Sequence, residues 1–172
     1  MARMFIALWP DPAVRDRLVA WRDAWSWPRS ATPVRTERLH LTLHFIGDVE
    51  RGRVQELADA LDVPFDGFGL QFGSAALWPH GVAVLEPHAG PAALVELREA
   101  LGAVLERLAL PVDARPFRPH VTMARRAAGS VVPRHGPVVD WDIDRYVLME
   151  SAHDGYAVVR EYCTSAPRQT GI

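Results

Sequence analysis

The sequence predicts an α+β fold of two pseudo-symmetric lobes, each an antiparallel sheet with helices on its outside, facing each other across a central cleft. Three observations predict it. A strand–helix–strand order runs over 4–46 and returns over 82–124. The closing strand of each unit carries the same signature, His-x-Thr followed by an apolar residue: Leu39-His40-Leu41-Thr42-Leu43-His44-Phe45-Ile46-Gly47 in the first, Arg118-Pro119-His120-Val121-Thr122-Met123-Ala124-Arg125-Arg126 in the second. The remainder is β-rich, with a hairpin signal at His153-Asp154-Gly155. Two facing layers of this kind suit a chain of 172 residues, which reads as a single bilobal domain over 1–172.

Each element has its own signal. Met4 to Leu8 is a continuous apolar run, a buried strand. Asp11 and Pro12 then open a helix as N-cap and first-turn residue, and Val14, Leu18, Trp21 and Trp25 follow at helical spacing as a core stripe. Trp27 to Pro33 is a loop by its Pro and Ser content. The first motif strand ends at Gly47-Asp48, and Glu50 to Leu61 reads as a second helix. Phe65 to Phe72 alternates as a strand. Gly81 to Glu86 forms another after a Trp78-Pro79-His80-Gly81 turn. Pro91 to Leu108, apolar at Leu94, Leu97, Leu101, Val104, Leu105 and Leu108, is the longest helix. The second motif strand follows Arg115-Pro116-Phe117. After a Gly/Pro/Arg loop over 127–137, Val138 to Trp141, Ile143 to Glu150 and Tyr156 to Thr164 complete the strands.

Composition excludes several functions. The formal charge of −2 gives no global attraction to nucleic acid or membrane. All 19 basic residues are Arg. Without Lys, Schiff-base chemistry, P-loop nucleotide binding and lysyl-adenylate ligation cannot run in their usual form. Cys163 stands alone, which excludes an internal disulfide and a Cys-rich zinc site, and the strand-like run 157–164 predicts that it is buried. Residues 1–11 briefly imitate a signal peptide, but the apolar core is too short and Pro-Asp-Pro follows. With no run of membrane-spanning length, a cytoplasmic, monomeric protein is expected.

In a strand, residues two apart share a face, so each motif presents His and Thr together above an apolar opposite face. One such pair would read as a solvated surface. Two, one per lobe, suggest two halves of one site. Histidine is the side chain that serves as acid or base near neutral pH. Two of them flanking a phosphoryl group can deprotonate an incoming water and protonate the leaving oxygen. The Thr hydroxyls can donate to the non-bridging oxygens, and an Arg adds charge. No metal is needed if the Thr and Arg groups supply the stabilisation. His40 and His44 would lie about 13 Å apart along a regular strand at roughly 3.3 Å per residue, too far to share an ion. His44 then only borders the cleft, and His80, His88, His135 and His153 are surface residues of turns.

These motifs, with Phe45, Gly47, Arg118 and Arg125 as flanks and Arg3 to Leu8 at the amino terminus, resemble the 2H phosphoesterase superfamily, and within it the RNA 2′,3′-cyclic phosphodiesterases, also named 2′-5′ RNA ligases. The resemblance covers most of the chain. Met123 stands where Leu is common. It implies metal-independent hydrolysis of RNA 2′,3′-cyclic phosphate ends to 2′-phosphomonoesters. RNA with such an end, or a nucleoside 2′,3′-cyclic phosphate, would be the partner, and no cofactor is needed. His40 matches the proton donor and His120 the proton acceptor, although the residues themselves do not orient the pair. Thr42 and Thr122 match the phosphate-holding hydroxyls, Arg125 a phosphate contact and Phe45 a base-stacking aromatic. Arg118 and Arg126 are further substrate-binding candidates. Strict alternation would place Phe45 and Arg125 opposite their histidines and would favour Arg126. The resemblance therefore requires each strand to bend or bulge just after its Thr. Run in reverse, the same pair could join a 2′-hydroxyl to a 5′ end, with hydrolysis dominating in water. Two alternatives stay open: a non-catalytic module binding RNA ends, and a 2H-type enzyme for a small cyclic nucleotide.

Overall fold

Strand β1 (Ala2–Leu8) is buried on both faces apart from Arg3. Met4, Ile6 and Leu8 point into the main core, while Phe5 and Ala7 join Val147 and Met149 in a smaller cluster on the other side. This alternation makes β1 a central strand. The computed structural model describes residues 1–165. Helix α1 (Pro12–Asp23) starts as expected, with the Val14 N–H donating to Asp11 Oδ1 at 2.8 Å. Its stripe of Val14, Leu18 and Trp21, with Trp25 just beyond the helix, is buried. The expected loop contains a two-residue strand, β2 (Thr32–Pro33), and β3 (Leu41–Val49) is the first motif strand.

The helix expected over 50–61 is divided into a 3₁₀ turn (Arg51–Arg53) and α2 (Val54–Ala60). The strand expected over 65–72 starts later and runs much further, as β4 (Phe68–Trp78). Its second half, Ser74 to Trp78, lacks alternation because both faces are only partly covered. Strand β5 (Val82–Pro87), helix α3 (Ala92–Arg107), and β6 (Val121–Arg125), the second motif strand, follow. Strands β7 (Val139–Ile143), β8 (Arg145–Ala152) and β9 (Gly155–Cys163) come last.

The sheet order is β7-β4-β5-β6-β3-β1-β8-β9, with β2 added on β6, and every neighbouring pair is antiparallel. The order is symmetric about its middle. On one side the motif strand β3 is followed outward by β1, β8 and β9; on the other, β6 is followed by β5, β4 and β7. The halves meet at one residue pair, Leu41 with Val121. Each half repeats strand, helix, motif strand: β1-α1-β3 and β5-α3-β6. The sheet curls, its helix-covered side holding the main core and its other side forming the cleft. Each helix reaches across: α1 packs against β7 and α3 against β3. Trp21 Nε1 donates to the Pro137 carbonyl at 2.7 Å, and Gly136 leaves the space its indole occupies.

Cys163 corrects an expectation: it is exposed. β9 is an edge strand, and its alternation turns Tyr162 inward and Cys163 outward. No helix of the described residues is long and apolar enough to cross a membrane.

Candidate active site

Both motif strands bulge, at equivalent places. Between β1 and β3 the register slips by one residue after Thr42: Ala7 pairs with Thr42 but Ile6 with His44. Between β5 and β6 it slips after Thr122: Val84 pairs with Thr122 but Ala83 with Ala124. Leu43 and Met123 are the extra residues. Each strand therefore has two consecutive buried residues, Leu43-His44 and Met123-Ala124. Alternation restarts in opposite phase. Phe45 thereby joins Thr42 on the cleft side, and Arg125 joins Thr122. His44 goes the other way. It is 3% exposed, and its Nε2–H donates to the Arg98 carbonyl of α3 at 2.7 Å. The expectation that His44 borders the cleft on the face of His40 is thus corrected, and the bulge is the reason.

His40 and His120 each sit one residue before their strand. Extending the Leu41–Val121 register by one residue in each direction sets His40 across from Thr122 and Thr42 across from His120. Diagonal neighbours on one sheet face are about 7–8 Å apart, which leaves room for one phosphoryl group between the two imidazoles. Each ring is held by the carbonyl two residues upstream: His40 Nδ1–H donates to Arg38 at 2.6 Å and His120 Nδ1–H to Arg118 at 2.8 Å. A carbonyl only accepts, so Nδ1 carries the proton in both rings and Nε2 is free for chemistry. Thr42 Oγ lies 3.0 Å from His40 Nε2 and donates to it when the ring is neutral.

The surroundings of the two rings differ. His40 is packed by aromatics: Trp9 stacks on it with centroids 5.6 Å apart, Phe5 lies at 5.1 Å, and Tyr156 meets it edge-on at 5.6 Å. Burial pushes its pKa down to about 4. The Arg38 carbonyl opposes the shift, while Arg15, His120 and Arg125 add to it. His120 lies against Trp78 with centroids 4.4 Å apart. It too is lowered by burial, opposed by the Arg118 carbonyl and by Glu86, with Arg125 and Arg118 adding to the fall.

One cavity of about 920 Å³ contains His40, Thr42, Phe45, His120, Thr122 and Arg125 in its lining. A family profile described as LigT like Phosphoesterase matches residues 8–84. An RNA 2′,3′-cyclic phosphodiesterase of Thermus thermophilus is 31% identical to this chain over 170 residues, spanning 87% of this chain and 81% of that protein. The chain belongs to the LigT-like phosphoesterases. Another member, the RNA 2′,3′-cyclic phosphodiesterase of Escherichia coli, is 29% identical over 155 residues and 87% of each chain. The crystal structure of E. coli LigT complexed with 3′-AMP superposes with a TM-score of 0.88 at 25% identity, covering 96% of this chain and 99% of that one.

In this LigT-like phosphoesterase two of the expected site residues lie away from the cavity lining. Arg126 follows β6 with φ 52°, and its guanidinium donates to Thr32 Oγ1 at 2.7 Å. Arg118 turns back over Trp78 and pairs with Glu86 at 2.6 Å. The cavity also takes in residues that sequence reasoning missed: Arg3, Arg35, Arg38 and Tyr156, with Ser151, His153 and Asp154 from the β8–β9 hairpin. Arg3 lies over the Phe45 ring at 5.1 Å and Arg38 over Tyr156 at 5.2 Å. Four arginines against one carboxylate make the cleft positive in a chain whose net charge is negative. One signal for Arg38 was present in the sequence, since Arg-x-His-x-Thr occurs twice, as Arg38 to Thr42 and Arg118 to Thr122.

Proposed function

We propose that this phosphoesterase hydrolyses 2′,3′-cyclic phosphate termini of RNA to 2′-phosphomonoesters, without a metal, by acid–base catalysis between His40 and His120. The observation that carries the reading is the paired arrangement: two imidazoles, each fixed through Nδ1, each next to a threonine, in one arginine-rimmed cavity. The names of the Thermus and E. coli relatives point to the same substrate.

In the proposed reaction the cyclic phosphate lies between the rings. His120 Nε2 takes a proton from water as the water oxygen bonds to phosphorus. The bond from phosphorus to O3′ breaks, and His40 Nε2–H protonates the departing oxygen. Thr42, Thr122 and Arg125 hold the non-bridging oxygens, where charge accumulates. Phe45, 51% exposed at the rim, offers a face for the terminal base. A proton returns to His40 and leaves His120 before the next turnover. If a 5′-hydroxyl replaces water, the same steps form a 2′-5′ linkage. Water at its bulk concentration favours hydrolysis.

In the free protein His40 is neutral at pH 7, because its pKa is about 4. A bound phosphate anion offsets the charges of Arg15, Arg125 and His120 and raises the affinity of His40 for its proton. The proton donor is thus made ready by the substrate itself.

Identifying the product isomer from an oligonucleotide with a 2′,3′-cyclic phosphate, in the presence of EDTA, tests this reading. A 2′-phosphate is expected; a 3′-phosphate would mean that the other ester bond breaks. Parallel assays with a nucleoside 2′,3′-cyclic phosphate separate RNA from a small molecule as substrate, and the oligonucleotide is expected to have the higher kcat/KM.

A further inference from the structure

Each histidine is held by an arginine in two ways. The arginine carbonyl takes the Nδ1–H, and its guanidinium lies over an aromatic ring that packs on the same imidazole. In the first half Arg38 lies over Tyr156, which meets His40; in the second Arg118 lies 4.4 Å over Trp78, which meets His120. In this tether the halves differ: Arg118 Nε is paired with Glu86 Oε1 at 2.6 Å. Glu86 belongs to β5, across from Ser74 of β4, and does not line the cleft. The Arg118 side chain is 62% exposed, so the pair adds little to stability. Its effect lies in where it holds the guanidinium.

We propose that Glu86 is a positioning residue for His120: it fixes Arg118 over Trp78, and Trp78 fixes the face that the imidazole presents to the substrate. This rests on the hydrolase reading above. The charges agree with it. The groups bearing on His120 are Glu86 from β5, Arg118 and Arg125 from its own segment, and His40 across the cleft; of these, Glu86 is the negative one. Those bearing on His40 are Arg15 from α1, Arg125 and His120, all positive or able to become so. The ring that must gain a proton during the reaction has a carboxylate nearby, and the ring that must lose one has cations. Glu86 therefore supports the imidazolium that forms on His120, as a carboxylate behind a catalytic base does in other acid–base sites. Its removal leaves Arg118 uncompensated beside the ring, and both changes disfavour the imidazolium.

Glu86→Gln tests the role, because it keeps the shape and removes the charge. NMR titration of the histidine ring protons in the free protein reads His120 directly. We expect its apparent pKa to fall by about 0.5–1 pH unit, with His40 moving less. With a cyclic-phosphate oligonucleotide, kcat is expected to fall about tenfold with KM unchanged, since removing an interaction made only in the transition state lowers kcat alone. In an Arg118→Gln background the same change should cost less than it does alone, as coupled residues do in a double-mutant cycle. An unmoved His120 titration, a raised KM with unchanged kcat, or additive losses would overturn the role. The titration needs no turnover: if the wild type cleaves no cyclic phosphate, the hydrolase reading falls, and the titration still decides whether Glu86 acts on His120.

Discussion

The hydroxyls of Thr42 and Thr122 stand beside the two imidazoles, where non-bridging oxygens of a bound phosphate would lie. Removing one transition-state donor typically costs about 10²–10³ in kcat. Thr42→Val and Thr122→Val should each lose at least tenfold, while serine, which keeps the hydroxyl, should retain most of the rate. Steady-state kinetics of the four variants would check this. In the proposed mechanism the two histidines also set the pH dependence. Both have their pKa lowered from 6.5, chiefly by burial. The falling alkaline limb reports loss of the acid form and the acid limb protonation of the base. The bell of kcat/KM, which reports the free enzyme, should therefore centre below pH 6.5, with apparent values belonging to the pair. Bound anion raises the affinity for protons, so the kcat profile should lie to its alkaline side.

At the scale of the strand, the decisive feature is the bulge after each threonine. It takes Phe45 and Arg125 into the cleft and His44 out of it. In the first half α3 clamps the bulge reciprocally: His44 Nε2–H donates to the Arg98 carbonyl, and Arg98 Nε donates to the Leu43 carbonyl at 3.3 Å. Arg98→Ala should reduce turnover several-fold and lower stability by about 0.5–1.5 kcal/mol, the net worth of a typical hydrogen bond; denaturant melts and kinetics would show it. The helices are equally tightly fitted. A methyl group at Gly136 would overlap the indole of Trp21, so Gly136→Ala should destabilise by about 1–3 kcal/mol, read as a lower Tm.

The elements show what could be read in advance. Alternation revealed the motif strands and periodicity the helices, because both are local. The bulges were demanded only by resemblance, because a register slip depends on the partner strand and leaves no mark in the bulged sequence. The exposure of Cys163 is hidden for a similar reason: alternation divides a strand into two faces without saying which face an edge strand covers. Trp9, Tyr156 and Trp78 reach the histidines from distant segments, and no spacing rule connects them to the motifs.

In the whole molecule, the repeat of strand, helix and motif strand creates two similar half-sites, distinguished by the side chains each carries. The same bulge position holds Phe45 in one half and Arg125 in the other, which in the proposed reaction would give base and phosphate separate sides. Arg3, Arg35, Arg38 and Arg125 give a positive cleft, and salt should weaken binding of an oligonucleotide more than of a nucleoside cyclic phosphate. With two or three phosphates engaged, the log–log slope for the oligonucleotide should be about −1.4 to −2.1. Three histidines, the buried His44 and the half-buried His40 and His120, have pKa values below that of the unfolded chain. Below pH 6.5 the unfolded state gains protons that the folded state refuses, so stability is full above that pH and declines as pH falls toward the folded values. Denaturant melts between pH 7.5 and 4.5 should show the decline, and His44→Leu should flatten part of it.

The central claim is that His40 and His120 act together on one phosphate. Single-turnover cleavage of an RNA ending in a 2′,3′-cyclic phosphate, with EDTA present, tests it most directly when the wild type is compared with His40→Ala, His120→Ala and the double variant. The account predicts cleavage by the wild type, a loss of about 10²–10⁴ in each single variant, and little further loss in the double. Full activity in either single variant, or abolition of wild-type cleavage by EDTA, would contradict it.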